Sequence, residues 1–193
     1  MSQKPHADQI YIEALLQNDS RVLSKIYEKY SYKIVAYVRK NNGNEADAQD
    51  IIQETLVTIY HQAKEKGFIL TCPFDAYFYL LCKRKWLNEL KKRGNNRVTI
   101  LEDEPSITEE QEQQAEETEI FEQQHQLFDL KFKELGKKCQ ELLKTSFKIK
   151  SMEKVAEILG VTYGYARKKK SQCLGKLTQL VKSSNEFHQL KGY

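Results

Sequence analysis

The spacing of apolar residues predicts helices along almost the whole chain. Apolar side chains recur three and four positions apart, and no window alternates β-branched residues with a period of two. The first predicted helix starts after Asp19 or Ser20 and ends at the NNGN run of residues 41–44. A second runs from about Glu45 to Gly67 and a third from about Phe74 to Arg93. We expect these helices to form a compact domain of residues 1–96.

Residues 97–118 break this pattern and are rich in Glu, Gln, Ser and Thr. Their few apolar groups do not offset the entropy of ordering, so a flexible acidic linker is predicted. Helical spacing resumes at Glu119 and predicts a second small domain over residues 119–182, followed by a loose tail at 183–193. The expected fold class is therefore all-α, with two small helical domains joined by the linker.

The net charge of +4 conceals an uneven distribution of charge along the chain. Between Val98 and Leu130 there are eleven Asp and Glu residues and no Lys or Arg, so all 31 cations lie elsewhere. A basic body interrupted by an acidic segment is typical of a protein that binds polyanions. Charged faces that only contact solvent are the alternative.

The sequence does not indicate a membrane protein, a disulfide framework, an enzyme or a metal site. The chain has neither an apolar run of about 18 residues nor the build of a signal peptide, so we expect a cytoplasmic protein without a membrane segment. No C-x-x-C pair occurs, and the four cysteines are interpreted as small buried hydrophobes rather than disulfide or zinc ligands. The histidine spacing and the lack of a phosphate loop predict no enzyme, cofactor or metal site.

The stretch KSMEKVAEILGVTYGYARKKKSQCLGKL, residues 150–177, predicts a helix-turn-helix. Ser151 can cap a short helix and Thr162 the next one, while Gly160 suits a turn that needs positive φ. Ala156 is small enough to let the two helices pack closely. An ordinary structural helix pair is the alternative.

The second helix of this pair carries the cations of residues 167–170 near its start. Cations there can neutralise phosphates when such a helix enters the major groove, so DNA is the expected partner. The candidate contact residues are Thr162, Tyr163, Tyr165, Arg167, Lys168, Ser171 and Gln172.

The predicted third helix combines rings and cations along one stripe, formed by Phe74, Tyr77, Leu81, Arg84, Asn88 and Lys91. Rings can stack on unpaired bases while cations follow the backbone, so the stripe suits single-stranded nucleic acid. The alternative is that Phe74, Tyr77 and Leu81 belong to the core.

The predicted second helix has a polar face opposite its apolar side, and Val57 interrupts that face. The helix dipole explains acids in the first turn but neither Glu54 nor Val57. The pattern therefore predicts a surface that docks on another protein, with a solvated face as the alternative.

Three segments in this order resemble the sigma factors of bacterial RNA polymerase, in particular the small extracytoplasmic-function group. They are ADAQDIIQETLVTIY, FDAYFYLLCKRKWLNELKKR and SMEKVAEILGVTYGYARKKKSQCLGKL, and the resemblance covers roughly residues 10–94 and 119–181. It implies region 2 in the first domain, region 4 in the second, and a transcription initiation factor without catalytic activity.

The resemblance also implies roles for individual residues. It assigns docking on the β′ clamp to Asp47, Asp50, Gln53, Glu54 and Val57. It assigns recognition and melting of the minus-ten element to Phe74, Tyr77, Arg84, Lys85, Asn88, Lys91, Lys92 and Arg93. The helix-turn-helix residues named above are expected to read the minus-thirty-five element.

Tyr77 and Arg84 depart from the family pattern, which usually has Trp and Asn at these positions. The implied partners are core RNA polymerase, through its β′ clamp and β flap, promoter DNA and an anti-sigma protein. Two other classes remain open: a helix-turn-helix regulator that binds duplex DNA without polymerase, and a helical adaptor that binds only protein.

Overall fold

The computed structural model describes residues 4–94, 99 and 106–190. Over these residues the protein is all-α, with nine helices and no strand, as the apolar spacing predicts. The chain divides into two compact units, Met1–Phe121 and Glu122–Tyr193. In the part of the chain that is described, no helix is long and apolar enough to cross a membrane.

The first unit contains α1 (Gln9–Gln17), α2 (Ser20–Lys40), α3 (Glu45–Lys66), α4 (Phe74–Lys92) and the start of α5 (Glu109–Lys133). The predicted bounds of α2, α3 and α4 are confirmed to within one residue. Asp19 caps α2 by accepting a hydrogen bond from the Arg21 amide at 3.0 Å. Asn44 and Asp47 form a reciprocal capping box at the start of α3, and Gly67, directly after its last residue, has the left-handed conformation.

The core of the first unit surrounds α4, which is buried on most of its sides. Trp86, Phe74, Tyr77 and Phe78 are among the largest fully buried side chains. The Trp86 indole donates to the Asn41 carbonyl at 3.2 Å, so its one polar group is satisfied. Because such side chains bury large apolar areas, α4 contributes much of the core of the first unit.

The sequence pattern did not predict α1, although its Ile12 and Leu15 belong to the same core. The residues around its start bind the segment that leads into α4. The Asp8 carboxylate accepts from the Phe74 amide at 2.9 Å, and Gln9 Oε1 accepts from the Leu70 amide at 2.8 Å. Pro73 provides no side-chain cap for α4, so Asp8 satisfies one of its free amides instead.

The start of α5 corrects the predicted linker, because residues 109–118 are helical. Thr108 and Gln111 cap one another there through side-chain-to-amide hydrogen bonds of 2.8 and 3.4 Å. Four side chains at three- and four-residue spacing are buried in the first unit: Gln111, Gln114, Ala115 and Thr118. Residues 97, 98 and 100–105 of the predicted linker lie outside the described residues.

The second unit contains the rest of α5, α6 (Lys137–Lys148), α7 (Met152–Ile158), α8 (Tyr163–Lys182) and α9 (Asn185–Leu190). Its core includes Phe132, Leu143, Val155 and Leu177. The prediction of a loose tail is wrong for residues 185–190, because Ser184 Oγ accepts from the Phe187 amide at 3.3 Å and starts α9. Residues 191–193 lie outside the described part of the chain.

Cys139 and Cys173 form a disulfide between α6 and α8, with Cα atoms 5.5 Å apart. The sequence analysis excluded a disulfide because no closely spaced pair exists. This pairing joins positions 34 residues apart and depends on how the helices pack. Cys72 and Cys82 are free and buried, as predicted.

Candidate nucleic-acid and docking surfaces

Four of the predicted docking residues lie on one exposed face of α3. Asp50, Gln53, Glu54 and Val57 follow three- and four-residue spacing, and all four are exposed. The opposite side of α3 is buried through Ala48, Ile52 and Ile59, which fixes the orientation of the helix. We call these four residues the docking face, an acidic surface that contains one apolar side chain, 49% exposed at Val57.

Asp47, the fifth predicted docking residue, is already bound within the first unit. Its carboxylate accepts from the Asn44 amide at 2.9 Å and from Arg93 Nη2 at 2.9 Å. The hydrogen bond from Arg93 lowers the pKa of Asp47 below its ordinary value. Asp47 therefore connects the start of α3 with the end of α4, and only 17% of its side chain is exposed.

A groove between α2 and α3 lies beside the docking face. It has a volume of about 370 Å³ and is lined by Tyr27, Val35, Ile52 and Gln53, among others. Gln53 belongs to both the groove and the docking face. Polar side chains of Ser31, Glu45 and Gln49 line the rest of the groove, so its surface is mixed rather than apolar.

Phe74 and Tyr77 do not line a nucleic-acid surface, because both side chains are fully buried. The Phe74 ring stacks on Phe78 with centroids 5.2 Å apart, and the Tyr77 ring stacks on Phe68 at 5.7 Å. Neither ring is accessible to a nucleic-acid strand in this conformation, and both belong to the core of the first unit, as the alternative expected. Their shared stripe reflects packing around α4, because rings recurring at helical spacing also suit a core.

Arg84 lies at the surface but is engaged by carboxylates of α5. It forms ion pairs with Glu112 and with Glu119, the latter at 3.1 Å from Arg84 Nη1. Only 23% of its side chain is exposed. Arg84, Glu112 and Glu119 thus form a charged cluster along the junction of α4 and α5.

The other predicted minus-ten residues lie along the second half of α4. Arg93 contacts Asp47, Glu89 and the ring of Trp86, and its guanidinium lies 5.1 Å from the ring centroid. Lys92 pairs with Glu89 at 3.9 Å, and Lys85 is half-buried. Asn88 and Lys91 are exposed. The described end of α4 therefore presents an exposed polar side chain, Asn88, beside two exposed cations, Lys91 and Lys92.

The second unit contains two helices, α7 and α8, that are joined by a short turn at Gly160. Ser151 and Thr162 accept hydrogen bonds from the amides of Lys154 and Tyr165 and so cap α7 and α8, as predicted. Gly160 has a φ of 62°, which few other residues adopt, and Ala156 is buried. These features orient α8 against α7 with its first turns directed outward.

All seven predicted contact residues of α8 and its cap are exposed, and we call them the recognition face: Thr162, Tyr163, Tyr165, Arg167, Lys168, Ser171 and Gln172. Arg167 lies over the Tyr163 ring at 5.6 Å and donates to its hydroxyl at 3.4 Å. That contact restrains the orientation of the guanidinium. Lys170 is half-buried on the side of α8 nearest the core.

Gln62, Gln114 and Thr118 form a buried polar cluster with Tyr77 that the sequence analysis missed. Thr118 Oγ1 lies 2.8 Å from the Tyr77 hydroxyl and donates to Gln62 Oε1 at 2.8 Å. The T-x-x-Q spacing of Thr108 and Gln111, which marks a helix start, was the signal that could have revealed the helix carrying Thr118.

Residues 26–96 match the family model of sigma-70 region 2. The matched range lies within the first unit and includes α3, α4 and most of α2. The match, which covers less than half of the chain, supports a relationship to the RNA polymerase sigma-70 family and a role in transcription initiation. No curated protein matches the chain.

Proposed function

We propose, from the match to sigma-70 region 2, that the protein is a transcription initiation factor of the extracytoplasmic-function group. It binds core RNA polymerase and directs it to specific promoters, with no catalytic activity of its own. The observation that carries this proposal is that the matched segment presents its docking face to solvent. An anti-sigma protein is a further expected partner.

The docking face is proposed to bind the coiled coil of the β′ clamp. Asp50 and Glu54 supply negative charge for a basic partner, and Val57 supplies an apolar contact at the same surface. Asp47 supports this face from within, since its carboxylate is engaged by Asn44 and Arg93.

The recognition face is proposed to read duplex DNA at the minus-thirty-five element. Arg167 and Lys168 lie in the first turns of α8, where a recognition helix meets base edges and phosphates. Asn88, Lys91 and Lys92 are proposed to contact the minus-ten region. Capture of an extruded base costs a few kcal/mol of unstacking, which binding to polymerase and upstream DNA would offset.

The primary experiment is transcription from a library of promoters by core polymerase, with and without the protein. Promoter-specific transcripts that require the protein are the expected result. A protein that produces no such transcripts but binds duplex DNA tightly by itself is instead a helix-turn-helix regulator, and that outcome would reject the proposal.

Charge reversal on the docking face gives a sharper test. We expect Asp50→Arg or Glu54→Arg to reduce core polymerase affinity at least about tenfold, because each places a cation where a basic partner must approach. Glu13→Arg, an exposed charge reversal on α1, is the matched control and should bind as the wild type does. Affinity is measured by fluorescence anisotropy of labelled protein, and circular dichroism checks the fold. Unchanged affinity in the folded docking variants would remove the docking claim.

A further inference from the structure

We propose that residues 109–121 of α5, here called the acidic segment, occupy the surface that the melted minus-ten strand needs. In this arrangement the acidic segment and the strand compete for Arg84, and the segment leaves the surface when the promoter opens. The proposal rests on the proposed function, because it adds Arg84 and Tyr77 to the minus-ten surface proposed for Asn88, Lys91 and Lys92. It adds an intramolecular competitor that restrains the protein before it meets an open promoter.

The first support is the charged cluster at Arg84. Glu112 and Glu119 are seven residues apart on α5 and both reach this one guanidinium. A guanidinium binds carboxylate and phosphate through the same pairs of donors. While both carboxylates are bound to Arg84 they neutralise its positive charge and repel a DNA phosphate that approaches it.

The second support is the buried polar cluster. The Tyr77 hydroxyl lies 2.8 Å from Thr118 Oγ1, which also donates to Gln62 Oε1 at 2.8 Å. Tyr77 and Thr118 are both almost completely buried. With the acidic segment absent, the Tyr77 hydroxyl and the Gln62 amide would be polar groups without these partners, suited to hydrogen bonding with an unpaired base.

The third support is the loop between α3 and α4, residues 67–73, which the acidic segment also contacts. Gln114 Nε2 donates to the Ile69 carbonyl at 2.8 Å, and Gln114 Oε1 accepts from the Thr71 amide at 3.3 Å. The same oxygen lies 3.0 Å from Cys72 Sγ. One helix thus engages Arg84, Tyr77 and the backbone of the adjoining loop.

The chemistry of this contact suits a reversible association. The buried side of the acidic segment consists mainly of Gln111, Gln114 and Thr118, with Ala115 and Phe121 as its buried apolar members. Polar groups recover hydrogen bonds from water when they separate, so their net contribution is far smaller than that of an apolar core. The exposed acids of the segment repel a nucleic-acid backbone while the helix remains in place.

The binding experiment uses holoenzyme assembled from core polymerase and the full chain. The probe is a fluorescent fork-junction DNA with a single-stranded minus-ten region, taken from a promoter recovered in the library experiment. We expect Glu112→Gln with Glu119→Gln to raise its affinity about tenfold, because weakening the competitor increases the binding-competent population. The measurement is equilibrium anisotropy at fixed salt.

Glu116→Gln with Glu117→Gln is the matched control, since it removes two exposed charges from the same helix without touching Arg84. We expect its affinity to stay within about twofold of the wild type. Unchanged affinity in the Glu112 and Glu119 variant would overturn the proposal. Equal gains in both variants would also overturn it, because the effect would then be one of total charge.

A second readout uses two cysteines of the first unit in the free protein. Burial raises the pKa of Cys72 to about 11 and that of Cys82 to about 12, so both thiols should alkylate slowly. Cys72 contacts Gln114, whereas Cys82 lies 3.4 Å from Thr55 Oγ1 inside the core. In the variant with Glu112→Gln and Glu119→Gln, we expect N-ethylmaleimide to modify Cys72 about tenfold faster than in the wild type, because a larger fraction of molecules has the acidic segment released. Cys82 should react at the wild-type rate.

If neither thiol reacts faster, the acidic segment has not been released and the proposal fails. If both react faster together, the unit has unfolded and the proposal fails as well. The proposed function is tested separately, by the wild-type chain in the transcription experiment. A chain that directs transcription but shows no response to these variants would refute only the competition.

Hydrogen exchange supplies a third readout in the promoter-open complex. We expect the amides of residues 111–118 to be protected in the free protein and to exchange at least about tenfold faster after the promoter opens, because a detached segment of this length is a marginal helix. Protection that persists in the open complex would overturn the proposal.

Discussion

Gly43 lies where the turn between α2 and α3 passes directly against Trp86. A Cβ atom at this position would lie 2.6 Å from Trp86 Cζ2 and would also overlap Val38. The Gly43 amide donates to the Val38 carbonyl at 2.9 Å, which holds the turn close to both side chains. The requirement for glycine here is one of space, because Trp86 is fully buried and cannot move toward solvent.

We expect Gly43→Ala to lower the free energy of unfolding by about 1–3 kcal/mol, the usual cost of overpacking a core. Gly175→Ala in α8 should raise it by about 0.5–1 kcal/mol, since the added methyl contacts nothing within 4 Å and alanine favours a helix. Urea denaturation monitored by circular dichroism measures both. A neutral Gly43→Ala would show that the turn yields without cost.

The sequence predicts contacts between residues that are close together in the chain but misses contacts between residues that are far apart in it. The caps at Asp19, Ser151 and Thr162 were predicted, since each side chain binds an amide two or three residues away. Tyr77 and Arg84 were assigned to DNA because their partners lie 28 to 41 residues further along the chain. No spacing rule identifies such partners before the helices are assembled.

Among the elements, α8 carries the charges expected to select the upstream promoter element. We expect Arg167→Glu with Lys168→Glu to weaken binding to duplex minus-thirty-five DNA at least about tenfold, because two favourable phosphate contacts become repulsive. Binding to core polymerase should be unchanged. Lys176→Glu, an exposed reversal further along α8, is the control. Electrophoretic mobility shifts of holoenzyme give the measurement, and equal losses in both variants would contradict a local role.

The disulfide between α6 and α8 should contribute to the stability of the second unit. Closing a loop of this length restricts the unfolded chain, so reduction should lower the free energy of unfolding by about 3–4 kcal/mol. We propose to measure denaturation with and without dithiothreitol. Cys139→Ala should be less stable than the oxidised protein and should not respond to the reductant. A wild-type protein that is also unresponsive would argue against the bridge.

The start of α5 shows why a helix with a polar buried side escapes prediction. Gln111, Gln114 and Thr118 occupy inward positions that an apolar pattern normally fills, so the segment was interpreted as solvated. Its position is fixed by hydrogen bonds to Gln62, Tyr77 and the loop before α4. By contrast, the helices α7 and α8 and the turn between them were predicted because Ala156, Gly160 and Thr162 act through local geometry.

The charged side chains of the two units differ in whether they are paired within the protein. The first unit holds acids of α5 against Arg84, while the second unit presents Arg167 and Lys168 outward. In the proposed competition a DNA strand replaces the ion pairs of Arg84, whereas Arg167 and Lys168 are already exposed to solvent. Salt should therefore affect these two parts of promoter binding differently, since it screens exposed charges more than buried ones.

We expect the logarithm of holoenzyme affinity for duplex promoter DNA to fall linearly with the logarithm of salt concentration. Arg167→Gln with Lys168→Gln should flatten the slope by about two units, since each lost phosphate contact removes about one released counterion. Lys176→Gln should leave the slope unchanged. The measurement is a salt titration of affinity, and an unaltered slope in the double variant would place these side chains away from phosphate.

The hydrogen bonds that Asp8 and Gln9 make also bear on how the chain tolerates trimming. Removing the residues before Ile10 would leave the long helices with their own internal bonding. It would also strip the Phe74 and Leu70 amides of the acceptors they have here. The first turn of α4 and the loop before it would then fray. Residues at the start of α1 therefore stabilise a region that lies more than sixty positions further along the chain.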